Sequence, residues 1–345
     1  MQASETLNES ILMNKPISLI RPSSTKITVT CLGLVAALIS AASARAGNVT
    51  MTADDSFGNS SFNAAGGWDS AAAPTAGNDY FNGGFLLRTP ADTGSYTFAG
   101  DSLTITGGGL ATGVGNDALM WKGSGTGAII TVDNLIIDGG QLRHGQGTAD
   151  SFTLAGNITV GANGANFATQ GGMIITANLI GTTTIRILDS GNTDAGRLIT
   201  LASSGNTFTG NIELAASSAD RAHVALADGA NLNFVIGANG SNNSIAGTGT
   251  VAFDGDFFFD LTGAGNTPGD SWAVAGASAQ TFGGTFSVNG FTDMGGGMWE
   301  TLANGVTYEF NTANGMLSVV PEPGSVIMML SGLGLLLGFR RYRRA

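Results

Sequence analysis

Two aspartates one residue apart, Asp254 and Asp256, with Asp260 just beyond, come nearest to a catalytic constellation in this 345-residue chain. On an extended strand residues 254, 256 and 260 share one face, and paired carboxylates there can act as general acid and base on a sugar chain. Such a site would belong to a β-helix polysaccharide-degrading enzyme, a lyase or a glycoside hydrolase. The neighbouring residues argue against it. No Lys or Arg lies close in sequence to assist a base, and Phe257, Phe258 and Phe259 read as core residues beside solvated aspartates.

Other chemistry is sparse. His144 and His223 are the only histidines, 79 positions apart, and no Cys, His or carboxylate cluster has metal-ligand spacing. Gly113, Gly115 and the residues after them imitate a dinucleotide loop, but Leu119, Met120 and Trp121 do not open the helix that such a loop needs. The same stretch matches one copy of a nonapeptide calcium repeat, which makes Asp117 the one calcium candidate. Its echo at Asp79 lies 38 residues away, whereas calcium in such repeats sits between tandem turns, so an ordinary Asn-Asp turn is favoured. The expectation is no enzyme, no metal and no cofactor.

The two ends carry more information. Pro321, Glu322 and Pro323 are followed by an apolar run over residues 325–339 and then by Arg340, Arg341, Arg343 and Arg344. The prolines hold an extended segment, the apolar run partitions into lipid, and the arginines stay on the cytoplasmic side. Residues 319–345, with Val320 leading into the triplet, resemble the PEP-CTERM sorting tail of bacterial envelope proteins. The resemblance implies processing by an exosortase, transient anchoring in the inner membrane through a short C-terminal helix, and release to the cell surface or extracellular matrix. Fifteen helical residues cover about 22 Å against a hydrocarbon core of about 30 Å. Spanning would therefore need a thinned bilayer or the recruitment of Val319 and Val320.

At the other end Lys15, Arg21 and Lys26 precede an apolar stretch over residues 27–39, and Ala44 and Ala46 form a small-x-small cleavage site before Gly47. Residues 1–46 therefore read as a signal peptide removed by signal peptidase. Glu5 and Glu9 are out of place in a basic leader and point to Met13 as the true start. The single cysteine, Cys31, falls inside this leader, so the mature chain has no disulfide and must rely on a continuous core.

Between the signals, residues 47–318 carry 22 carboxylates against six basic side chains, a balance of −16 that excludes nucleic acid as a partner. Short apolar runs alternate with Gly, Asn, Thr and Ser, from Leu103 and Ile105 through Ile158 and Val160 to Tyr308 and Phe310. Gly-rich joints would break any helix there. A recurrence of ten to twenty-odd residues predicts an all-β body, an irregular right-handed parallel β-helix in which corner Asn and Thr stack as ladders. An antiparallel β-sandwich is the alternative. Residues 204–214, around Asn206, Thr207, Phe208 and Thr209, resemble the autotransporter-associated β-strand repeat. That likeness implies a surface-exposed or secreted solenoid and no particular activity. The combined expectation is a structural or adhesive envelope protein, with extracellular polysaccharide as a possible partner. Trp68, Trp121, Trp272 and Trp299 are available to stack on sugars, though core and capping roles suit most of them.

Overall fold

The computed structural model describes residues 47–321. Among these residues the helical structure is a single 3-10 turn, Ala219–Arg221, and the remaining regular elements are strands. Runs of three to five apolar residues between glycines are too short for a stable helix, so their backbone groups are satisfied by pairing with the next coil.

That pairing builds three parallel ladders. The first contains Gly47–Thr50, Asn78–Phe81, Ser102–Thr106, the second halves of Ala128–Asp138 and Ser151–Val160, and Asn178–Ile180. The second climbs from Leu87–Arg88 through Ala118–Trp121, Gln141–His144, Ala165–Ala168, Ile185–Leu188 and Ile212–Ala215 to the first halves of Ile245–Phe253 and Ala275–Phe282. The third joins Tyr96–Thr97 and the first halves of the two long strands to Gly172–Ile175, Leu198–Leu201 and His223–Leu226, and ends on the second halves of Ile245–Phe253 and Ala275–Phe282. A smaller parallel sheet, Asn231–Val235, Asp256–Asp260 and Ser287–Val288, follows the first ladder. Asn206 links the two, because its Oδ1 accepts the Leu179 N–H and its Nδ2 donates to the Asn231 carbonyl, both at 2.9 Å. This large parallel sheet is compatible with a β-helix or solenoid, and the parallel ladders do not fit the antiparallel sandwich.

Register explains the core. Ile130, Leu154, Ile175, Leu201, Leu226, Phe253 and Phe282 occupy successive positions of one column, and all but the half-buried Phe282 are fully buried. Each buried side chain of this size contributes about 1.5–3 kcal/mol. Asparagines line the corners as expected. Asn178 donates to Asn157 at 3.1 Å, and Asn206 and Asn231 exchange side-chain amide bonds with each other's carbonyls at 2.9 Å. These bonds satisfy buried backbone groups that a turn would otherwise leave orphaned.

The two ends of the stack are closed differently. Near the start, Phe62, Trp68, Tyr80 and Phe98 pack edge to face, and the Asp55 carboxylate accepts the N–H groups of Ser61 and Arg88 at 2.8 Å. At the far end a five-stranded sheet runs in the order Ser271–Ala273, Met316–Val320, Val306–Asn311, Met298–Ala303, Thr292–Gly295, with every pairing antiparallel. The expectation that the irregular parallel β-helix continues to residue 318 is corrected here. Turns too tight for a coil fold the last segment back on itself, and its inner residues Trp272, Tyr308, Phe310 and Leu317 cover the open end of the core.

Candidate functional site

The final strand sets the geometry of the junction with the tail. Val319 donates its N–H to Asp270 at 2.9 Å, accepts from Gly269 at 3.1 Å, and lies opposite Tyr308. Its side chain is 2% exposed. Val320 lies opposite Thr307, and Pro321 follows at once as an exposed residue. Recruitment of Val319 and Val320 into a membrane segment is therefore corrected: both belong to the folded sheet, and Val319 commits its N–H and its carbonyl to Asp270 and Gly269 while it pairs with Tyr308 on the other edge. Glu322, Pro323, Arg340, Arg341, Arg343 and Arg344 lie outside the described residues, as do Ala44 and Ala46 and the expected leader and C-terminal helix. Gly47 opens the first strand, with its N–H on the Gly77 carbonyl at 3.3 Å.

The aspartate constellation does not assemble as a strand face. Asp254 lies off the strand, at the corner between Ile245–Phe253 and Asp256–Asp260, with its carboxylate over Gly283. Asp256 accepts the Ser287 hydroxyl at 2.6 Å. Asp260 accepts the Thr262 N–H at 3.0 Å, and bonding to Thr262 holds its carboxyl below the usual range. The shared face expected for all three fails because the chain turns a corner at Gly255, where an added Cβ would lie 2.4 Å from the Ala230 carbonyl.

Asp117 borders a surface cleft of 530 Å³ formed by the backbone of residues 108–115 and by Gln141. The carboxylate accepts from Gln141 Nε2 at 3.2 Å, while Gln141 Oε1 accepts the Gly115 N–H at 3.1 Å. Asp117 is thus part of the bonding that holds this Gly-rich loop. Among the described residues no three His, Cys, Asp or Glu side chains converge on a point where a metal could sit. His144 is buried against Trp121 and Phe152, with Nε2 3.0 Å from the Asp150 carbonyl and Nδ1 accepting the Gln146 N–H. Burial lowers its pKa to about 4. Trp68, Trp121 and Trp272 are buried and Trp299 packs on Phe286, so the tryptophans are structural.

One surface feature was not legible as a site. Thr207, Thr209, Asn233, Val235, Phe258 and Asp260 border an open groove of 390 Å³ across three successive coils. Its walls come from segments 23 or more residues apart, which register alone brings together. Within residues 204–214, Phe208 turns inward to the core while Thr207 and Thr209 face this groove. Val235, 44% exposed, supplies an apolar floor beside the polar Asn and Thr side chains.

With this geometry in place, the comparisons bear on the junction. Residues 319–344 match the PEP-CTERM protein-sorting motif. No curated protein and no solved structure matches the chain. The motif identifies an exported protein that is an exosortase substrate destined for the cell surface.

Proposed function

We propose that this protein is a non-enzymatic structural or adhesive component of the cell envelope or extracellular matrix. Signal peptidase removes residues 1–46, the body folds outside as a right-handed β-solenoid, and the tail holds it briefly in the inner membrane until exosortase cuts. The match of residues 319–344 to the sorting motif carries this reading. Two further features support it. A cysteine-free, strongly acidic stack suits a spacer, and the Asn, Thr and Phe groove offers hydrogen bonds and an apolar surface to a polysaccharide chain. The single autotransporter-like segment at 204–214 is consistent with an exported solenoid of this kind.

In a host with exosortase, mature protein should lack residues 325–345. Replacing Pro321, Glu322 and Pro323 together by alanine should trap an uncut inner-membrane form. Mass spectrometry of surface-released protein decides it, since an intact end through Arg344 would show an anchor rather than a processed signal. A glycan array separates adhesin from plain spacer. Release of new sugar ends by the purified protein, abolished in Asp254→Ala, would overturn the non-enzymatic reading.

A further inference from the structure

The last strand runs toward the turn of the hairpin formed by Met298–Ala303 and Val306–Asn311, because Val320 lies opposite Thr307 and Thr307 opposite Leu302. Residues directly opposite in a sheet share a face, so Leu302, Thr307 and Val320 form its last outer row. Four residues, 321–324, separate this row from the apolar run that starts at residue 325. From Val320 to residue 325 is five residue steps, at most about 18 Å fully extended. The turn residues Asn304 and Gly305 project about two residues past Val320, roughly 7 Å, so at most about 11 Å remains between the turn and the start of the run. The turn is also held in place, since Asn304 Nδ2 donates to the Leu261 carbonyl at 2.9 Å.

The run itself is short by about 8 Å for a 30 Å hydrocarbon core. Val319 cannot be given up to lengthen it without breaking its two hydrogen bonds to Asp270 and Gly269 and stripping Val319 and Val320 from Tyr308 and Thr307. The shortfall therefore pulls the body toward the lipid as well as the lipid toward the body. The surface that arrives is apolar at its edge. Leu302 is 73% exposed, with the half-buried Thr307 and Val320 beside it and no charged side chain in the row. One row back, about 7 Å away, Glu300 faces Glu309 across the strands. Partial burial and the nearby Glu300 push the Glu309 carboxyl up. These paired acids set a depth limit, because carboxylates resist entry into the headgroup layer and below.

We infer that, while the tail is uncut, the turn end of this hairpin is docked on the lipid surface with Leu302 in the headgroup layer. The inference rests on the reading of residues 319–344 as a membrane-inserted sorting tail. Docking presents the sorting motif at a fixed height and stands the body on the membrane by its closing sheet. It ends when the tail is cut, because Leu302 alone buries too little apolar surface to hold the protein there.

The mature body has no cysteine, so a reporter can be placed at one position. Full-length chain carrying Cys31→Ser and Leu302→Cys is labelled with an environment-sensitive fluorophore and reconstituted in phosphatidylethanolamine–phosphatidylglycerol vesicles containing nitroxide-headgroup lipid. The control is Ile129→Cys, another exposed apolar site at 46% exposure, six parallel pairings (roughly 29 Å) from the strand Ala275–Phe282. Vesicle flotation reads tail insertion, and quenching reads docking. Flotation with quenching at 302 at least threefold that at 129, lost when residues 322–345 are deleted, is the expected result. Flotation with equal quenching at the two sites overturns docking and leaves the sorting tail standing. Failure to float overturns the membrane-inserted tail and the docking with it.

Discussion

The parallel stack and the sheet that closes it are built from the same small, polar and β-branched residues, yet they solve different problems. In the stack, each coil repeats the inward apolar position of the one before, as in the column from Ile130 to Phe282. Every coil then needs a neighbour on each side, and nothing in the pattern says where to stop. The closing sheet stops it by reversing direction. Its antiparallel strands face the last coils with Trp299, Phe310 and Leu317 and turn Glu300, Glu309 and Ser318 outward. The parallel stack is thereby sealed against edge-to-edge growth. Because the strand that completes the seal is also the strand that leads into the sorting motif, folding and sorting share Val319 and Val320.

The joint between the two regions is the place to break the comparison hardest. Phe257 is fully buried, with ring centroids 4.8 Å from Phe234 and 5.0 Å from Phe253 and Phe286, and it also reaches Phe310 of the closing sheet. Phe257→Ala should cost about 3–5 kcal/mol in urea unfolding. Hydrogen exchange should rise both in residues 231–260 and in residues 292–320. Loss of protection in only one of these would mean that stack and closing sheet unfold independently.

A smaller effect separates the regions by pH. The buried aromatic histidine, His144, belongs to the stack, and the closing sheet has no counterpart. An unfolded imidazole titrates near 6.5, and burial in the fold lowers His144 to about 4, so the unfolded chain takes up the proton first as pH falls. Its contribution is complete above about pH 6.5 and is lost progressively toward pH 4, about 2 kcal/mol being gone by pH 5. Urea midpoints at pH 7 and pH 5 should show this loss in the native protein. His144→Phe should remove most of the difference, and a variant with unchanged pH dependence would assign the loss to other groups.

Much of the stack was legible in the sequence. Alternation placed Leu103, Ile158 and Ile187 on strands and facing the core, and the corner asparagines stack as ladders. Two things escaped. The groove around Thr207, Asn233 and Phe258 depends on how many residues each corner spends between strands, and no local pattern records that. The antiparallel closing sheet did leave a trace, because Asn304-Gly305 between the apolar residues Leu302 and Val306 is a strong hairpin signal. The coil-like spacing of the runs before it masks that trace. The shared aspartate face failed for the opposite reason: alternation was carried through Gly255, where the backbone turns.

That hairpin gives the finest test of the contrast, using two glycines. Asn304 and Gly305 have φ of 52° and 78°, and Ala303 pairs directly with Val306, so the loop is two residues long with both at positive φ, as a type I′ turn demands. A Cβ at Gly305 would meet no atom within 4 Å, so Gly305→Ala has no clash to relieve and its cost is the backbone conformation alone, about 1 kcal/mol. Gly284, at a corner of the stack, also has open space around it but sits outside the positive-φ region. Gly284→Ala should be neutral or stabilising by up to about 1 kcal/mol, because alanine restricts the unfolded chain more than the folded one. Thermal unfolding of the two single variants beside the parent decides between the regions. Opposite signs mean that the stack tolerates side chains at its corners while the closing sheet depends on one left-handed turn. Equal, small shifts would mean that the turn beside the sorting tail is free to adopt another conformation, and the fixed height at which it presents Pro321 would go with it.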